Sequence, residues 1–443
     1  MKYLAVHEWG RVNVGQDPSS LTRADATRLI AAAVAHSLGG DEGTSIISDH
    51  HHYVRVGQCV GVLASTDVTL EILPKVDPAA PDLQPGSVRA QLVRMLDAAW
   101  ELGLSEGEIA PLARQNTNLL DCLIRIFADR LLAQVRQGLP RAYREKARDV
   151  AVMRGRLDVI RQFTIHSVRP DRLACRFDEL SADTPLAQIM RACVVLLSRL
   201  ARTQETHRRL FELRILMGEV SDAPLGRLPW ASVKIDRSNR RWRTLYDLGR
   251  LLLVRDWQAT HYDAESRARG FSLLFPMNEL FEATIAAALR KALSTYDVDV
   301  VTQGGFRYCL GEWLPNGPCS GNLFRTRPDI IIRSRGKVVL VVDTKWKCLR
   351  DDADESKRGI SQSDVYQLMA YAQLYNCDRL LMLYPHHAGL STAGVQANYG
   401  IAVPGKLRSD RLQIATVDVG QESAAVSAAL RQIVLDTVGR QKA

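Results

Sequence analysis

Asp329, Asp343 and Lys345 are the residues of this 443-residue chain whose types and spacing suit chemistry best. They stand in the stretch RPDIIIRSRGKVVLVVDTKWK at 327–347. Two apolar, β-branched runs, Ile330–Ile332 and Val338–Val342, flank Ser334-Arg335-Gly336, so the segment predicts a β-hairpin. Closing that hairpin sets Asp329, at the start of the first strand, beside Asp343, at the end of the second. Asp343 and Lys345 are two residues apart and project from one face of their strand. Two carboxylates and an ammonium at one sheet edge can hold a divalent cation and place a positive charge beside an attacking water. That is the chemistry of a metal-dependent phosphodiesterase. The tripeptide D-x-K alone occurs by chance in long chains. The apolar run before Asp343 gives it weight, because a strand buried on both faces seldom ends in charges that have no partner or use. Pro328 keeps Arg327 extended and marks the strand entry.

Mg²⁺ favours oxygen ligands and keeps several waters. Asp329 and Asp343 offer one oxygen each, and the Thr344 backbone carbonyl offers another. Lys345 can orient a water or steady charge developing on a phosphate. Upstream, Met277-Asn-Glu-Leu-Phe-Glu282 opens a helix, with Asn278 as its expected cap. Glu282 can reach the metal or a water on it, and Glu279 shares its face. Downstream, Gln367 and Tyr371 are four apart in YQLMAYAQLY and lie on one helical face. No G-x-S-x-G elbow points to a serine hydrolase.

The elements that must position these residues follow from periodicity. Residues 1–80 predict a small N-terminal α/β module, with strands over Tyr3–Val14, Tyr53–Leu63 and Thr69–Val76 and a helix over Thr22–Leu38. The Pro-rich DPAAPDLQPG at 77–86 is a boundary. Residues 87–260 predict a mainly helical middle domain, with helices over Val88–Leu102, Asn118–Val135, Leu186–Leu200 and Thr244–Trp257. Residues 270–443 predict an α/β domain built around the hairpin, with helices over Met277–Ala292, Ser361–Tyr375 and Ser423–Thr437 and strands near 298–308, 380–384 and 413–417. The fold class is therefore α/β, α+β overall.

Formal net charge is +9, from 58 Lys and Arg against 49 Asp and Glu, which is compatible with a polyanionic partner. Lys234, Arg237, Arg240, Arg241 and Arg243 surround Trp242 in one basic patch, the candidate DNA contact. A second basic run is Arg136, Arg141, Arg144, Lys146 and Arg148. The eight cysteines form no C-x-x-C pair, which argues against a zinc ribbon and, at this length, against a disulfide framework. A reducing cytoplasm fits best, since no signal peptide and no apolar run of membrane-spanning length is evident. His50-His51-His52 lacks the acids or cysteines that would complete a metal site, and His386 and His387 are expected to be structural.

These residues together resemble the PD-(D/E)xK nuclease superfamily, and within it the McrC family of McrBC modified-cytosine restriction systems. The matching stretches are MNELFE at 277–282, RPDIIIRSRGKVVLVVDTKWK at 327–347, SQSDVYQLMAYAQLY at 361–375 and LLMLYPH at 380–386. RGRLD at 154–158 and RFDELSADTPLAQIM at 176–190 match upstream, and ILPKVD at 72–77 more weakly. The resemblance implies a restriction-endonuclease-like α/β/α core in the C-terminal domain. It implies Asp329, Asp343 and Glu282 as metal-site acids and Lys345 as the catalytic lysine. Gln367 and Tyr371 would form the Q-x-x-x-Y pair of the RecB-like branch. The implied activity is Mg²⁺-dependent cleavage of double-stranded DNA containing modified cytosine, with Mn²⁺ able to substitute. The implied partner is a McrB-like AAA+ GTPase hexamer, which residues 1–80 or the basic middle would engage. The chain itself carries no G-x-x-x-x-G-K-[ST] and is expected to bind no nucleotide. The alternatives are a non-cleaving adaptor that stimulates the motor and a stand-alone RecB-like nuclease.

Overall fold

The computed structural model describes residues 2–34, 36, 38, 45–65, 67–75, 85–114, 118–168, 171–257, 271–311, 322–350, 359–401 and 410–438. The chain forms two compact units: residues 1–119 together with 256–443, and residues 120–255. The sequence predicts three consecutive segments, but the N-terminal module and the C-terminal α/β region belong to one unit. The reason is a strand pairing across some two hundred residues. Phe271–Pro276 adds antiparallel to Cys59–Ala64, completing a sheet in the order Lys2–His7, Val68–Leu73, Cys59–Ala64, Phe271–Pro276. Gly61 lies opposite Leu274 with φ 130°, and a Cβ there would meet the Leu273 carbonyl at 1.9 Å, so only glycine lets this strand dock. Leu274 enters the same apolar core as Leu21, Leu29, Ile47, Leu63 and Ile72.

The predicted strands over Tyr3–Val14 and Tyr53–Leu63 are each broken in two. Arg11–Asn13 and Tyr53–Val56 leave the large sheet to form a second one with Ile47–Asp49. The Pro-rich boundary at 77–86 lies outside the described residues up to 84, and the next helix starts at Pro85. Beneath the N-terminal sheet sits a buried ion pair. Arg89, on the helix Pro85–Trp100, donates through Nε and Nη2 to the fully buried Glu71 at 2.8–3.1 Å. Glu71 also accepts from the Tyr3 hydroxyl and, at 2.7 Å, from the Leu119 N–H.

The C-terminal part of this unit is a six-stranded mixed sheet, ordered Val298–Thr302, Ile330–Ser334, Lys337–Thr344, Arg379–Pro385, Asp410–Val417, Gly394–Ile401. The first three strands are antiparallel neighbours, and the next two pairings are parallel. The helix Gln362–Tyr375 covers one face: Leu368, Tyr371 and Tyr375 pack with Ile331, Val341, Leu380, Met382 and Ile414. The helices Met277–Ala292 and Ser423–Val438 also pack against this sheet and against each other. Asn278 is not the cap of the first of these. Pro276 holds that position with no side-chain cap, and the Asn278 amide instead pairs with Gln58 at 3.0 Å.

The middle unit is helical, as expected, through Leu119–Arg136, Pro185–Leu200, Gln204–Leu216 and Arg243–Trp257. Thr184 caps the second of these, with Pro185 in its first turn. It also carries a three-stranded sheet, Ala142–Val150, Leu173–Ser181 and Arg156–Leu157, that the sequence does not announce. Around it Met153, Ile160, Phe163 and Val168 are exposed. No helix among the described residues is long and apolar enough to cross a membrane.

Candidate active site

The hairpin turns at Arg335 and Gly336, both left-handed at φ 49° and 77°, which a two-residue connection requires. A bulge between Ile332 and Arg333 shifts the register by one residue, after which Ile331 faces Val341 and Ile330 faces Val342. One step further, Asp329 faces Asp343. Thr344 fixes that approach: its N–H and hydroxyl donate to Asp329 Oδ2 at 2.7 and 2.9 Å. Because side chains alternate, Asp329 continues the row of Ile331, and Asp343 and Lys345 continue the row of Val341. Both rows face the helix Gln362–Tyr375, and the polar residues of that helix meet them there.

Lys345 Nζ is held by three oxygens. Asp343 Oδ2 lies at 3.0 Å, Asp364 Oδ1 at 3.5 Å and Gln367 Oε1 at 3.4 Å. Gln367 Nε2 in turn donates to the Tyr371 hydroxyl at 2.9 Å. Lys347 Nζ reaches the other oxygen of Asp364 at 3.3 Å. Asp343 is only 1% exposed. Burial first and then the neighbouring Asp329 carboxylate push its carboxyl up to about 6. Burial alone would lower Lys345, but Asp343, Asp364 and Asp329 outweigh it and raise the ammonium above its usual range.

Glu282 approaches from the helix Met277–Ala292. Burial and then Asp329 push its carboxyl up to about 7. Its nearest fixed contact is Gln303, whose Nε2 donates to Glu282 Oε1 at 3.2 Å. Gln303 has φ 47°, accepts from the Arg327 guanidinium, and donates its N–H to the Asp329 carbonyl at 3.2 Å. A cavity of about 230 Å³ beside it is lined by Glu279, Glu282, Arg290, Thr302 and Gln303.

The structure thus brings Asp329, Asp343, Thr344, Lys345, Gln367 and Tyr371 together, with Glu282 adjoining through Gln303. Among the described residues no three His, Cys, Asp or Glu side chains close into a ready-made metal cage. The donor set nevertheless suits a hard cation that keeps its waters: two neighbouring carboxylates, close enough that Asp329 helps push the Asp343 carboxyl up. Sequence reasoning missed Asp364 and Gln303. Asp364 stands three residues before Gln367 in the same helical segment, so its spacing could have found it. Gln303 is a loop residue with no such signal. Replacing Asp364 with Asn would take away one of the two carboxylates that fix the Lys345 ammonium.

Trp346, next to the lysine, is buried against Phe281, with ring centroids 5.3 Å apart. Its indole N–H donates to Glu8 at 2.7 Å, and the same Glu8 oxygen accepts the Lys75 N–H at 2.9 Å. Burial raises the Glu8 carboxyl above its usual range. The N-terminal sheet therefore anchors the strand end that carries the site.

The other candidates lie elsewhere. Lys234, Arg237, Arg240, Arg241 and Arg243 are exposed on the middle unit. Arg241 binds Gln137 and the Gly138 carbonyl, and Arg243 pairs with Asp247 at 3.0 Å. Trp242 among them is buried and cannot stack on a base. In the second basic run, Arg136, Arg141, Arg144 and Lys146 are each paired with an acid. His386 approaches Thr416 at 3.3 Å and His387 the Leu349 carbonyl at 2.8 Å, both structural contacts.

Fold and site define a mixed α/β protein with an acid–lysine cluster at the end of a buried strand. The chain belongs to the McrBC family: the model for the McrBC 5-methylcytosine restriction system component matches residues 54–385. A search of curated proteins gives no match. Among solved structures, the chain is similar to one in the refined half-complex from a tetradecameric assembly of Thermococcus gammatolerans McrB AAA+ hexamers with bound McrC. The identity is 20%, the TM-score 0.73, and the coverage 98% of this chain and 99% of that one. It is also similar to a chain of the Thermococcus gammatolerans McrBC complex determined by cryo-EM, at 23% identity and TM-score 0.53, covering 66% of this chain and 89% of that one.

Proposed function

We propose that the chain is the DNA-cutting subunit of its restriction system, a Mg²⁺-dependent endonuclease with a PD-(D/E)xK core. The observation that carries this reading is the meeting of Asp329, Asp343 and Lys345 at one strand end, on the face covered by Gln362–Tyr375. Asp329 and Asp343 would hold the metal, with the Thr344 carbonyl beside them. Bound there, Mg²⁺ would polarise a water and a phosphate oxygen. Lys345, gripped by three oxygens, sets a fixed positive charge where the phosphate gains negative charge. Glu282, held by Gln303 and close enough to feel the Asp329 carboxylate, would add a further acid at the metal or orient water on it. Tyr371 steers Gln367, and Gln367 steers Lys345.

The partner is a McrB-like AAA+ GTPase hexamer. The family membership and the likeness to a chain of a McrB–McrC assembly support this. Met153, Ile160, Phe163 and Val168, exposed on the middle unit, are the kind of surface that a partner covers. The substrate is double-stranded DNA carrying modified cytosine. Cleavage by the chain with its motor, GTP and methylated plasmid is expected to stop with EDTA and return with Mg²⁺ or Mn²⁺. Undiminished cutting in the chelator would refute the reading. Stimulated GTPase without any cutting under all metals would favour an adaptor instead.

A further inference from the structure

Beside the acid–lysine cluster stands an arm that the chemistry above does not use. Between Gln303 and Asp329, the strands Tyr308–Leu310 and Leu323–Arg325 pair antiparallel, with Tyr308 opposite Arg325 and Leu310 opposite Leu323. Every residue of this ribbon is exposed. Phe306, Tyr308, Leu310, Leu323 and Phe324 are large, apolar and open to solvent, Phe324 at 72%. Phe324 is also left-handed at φ 54°, a conformation bulky residues rarely adopt. Nothing in the ribbon's own packing rewards such exposure.

The ribbon is basic and its foot is rigid. Residues 304–311 and 322–328 contain Arg307, Arg325 and Arg327, against the single acid Glu312 that follows in sequence before 322. The Arg325 guanidinium lies 3.9 Å from the centre of the Phe306 ring. Thr326 joins the two strands at the base: its hydroxyl accepts from the Arg307 N–H at 3.3 Å, donates to the Arg307 carbonyl at 2.8 Å, and lies 2.8 Å from the Tyr375 hydroxyl. Arg307 donates to the Leu374 carbonyl at 2.7 Å. The arm is thus tied to the helix that bears Gln367 and Tyr371, three residues before Asp329.

We propose that this ribbon is the DNA grip of the cutting site. It enters a groove of the duplex, with Tyr308, Leu310 and Leu323, which share one face, against the bases and Arg325 on that same face toward the phosphate next to the one that is cut. The proposal rests on the nuclease reading above. A two-stranded ribbon matches the major groove in width. Three arginines against one acid suit a polyanion, whereas a two-fold contact of ribbon on ribbon would oppose like charges. Apolar side chains on such an arm can meet base edges and thymine methyl groups along the groove.

The test uses the full chain carrying Asp343→Ala and a fluorescein-labelled unmodified duplex, followed by anisotropy. Adding Tyr308→Ala with Leu310→Ala is expected to weaken binding about ten-fold or more. Adding Arg325→Ala instead is expected to lower the slope of log affinity against log salt by about 0.9, the loss of one phosphate contact. With Asp343 restored, the Tyr308 and Leu310 variant should cut more slowly with its motor while stimulating GTPase like the parent. Unchanged binding and unchanged salt slope would overturn the proposal. So would unchanged DNA binding with a loss of self-association in sedimentation, which would make the ribbon a contact between copies. If Asp343→Ala still cuts, the nuclease reading fails; if it is inactive while the ribbon variants bind and cut normally, only the grip fails.

Discussion

Asp343→Ala abolishes DNA cleavage and leaves the fold and the motor's stimulated GTPase intact: this is the expected result with the largest effect. Asp343 links the acid pair to the lysine. It faces Asp329, pairs with Lys345 at 3.0 Å and is almost wholly buried. Its removal takes away one of two proposed metal ligands and one of three oxygens that fix the lysine. Several kcal/mol of charge stabilisation at ~1.4 kcal/mol per decade amounts to about a thousand-fold or more in rate. Stability should not fall, because Ala relieves a buried carboxyl that burial and Asp329 already disfavour in its charged form. Gel-resolved cleavage of methylated plasmid, beside GTP turnover and a thermal melt, checks all three parts. Wild-type cutting would place the chemistry elsewhere.

Arg89→Ala is expected to have the largest effect on stability. Arg89 and Glu71 are paired out of reach of water, with side chains 5% and 0% exposed. Deleting the guanidinium strands a carboxylate in the core, a change worth about 3–5 kcal/mol. Replacing both, as Glu71→Leu with Arg89→Met, is expected to recover much of that loss, because an apolar pair of similar volume needs no desolvation of charge. Recovery stays partial, since the Tyr3 hydroxyl and the Leu119 N–H also lose their acceptor. Urea midpoints of the parent, single and double variants measure this. A double variant weaker than the single would show that the pair itself stabilises the fold.

The cluster around Asp343 was legible because strand and helix periodicities are short-range. β-Branched runs flanking Arg335-Gly336 predict the hairpin, and its closure sets Asp329 beside Asp343. A spacing of four sets Gln367 and Tyr371 on one turn. What stayed hidden depends on long-range or irregular structure. Nothing in the sequence of Phe271–Pro276 says that it will pair with Cys59–Ala64. Gln303 works from a left-handed loop position. AYREKARDV at 142–150 is a strand whose charged, half-exposed residues carry no apolar alternation. GVQANYGI at 394–401, an edge strand of small and polar residues, is equally silent. Trp242 looked like part of a basic, base-stacking patch, yet an apolar ring beside arginines serves a core as readily.

The pairing of Phe271–Pro276 with Cys59–Ala64 also sets an order of events on the ribosome. The early strand emerges with an open edge and keeps it until more than two hundred further residues have been made. Residues 120–255, contiguous in the chain, can fold in the interval. The hook from Trp346 to Glu8 closes later still. A nascent polypeptide therefore holds no finished acid–lysine cluster until Asp364 and Gln367 have been made.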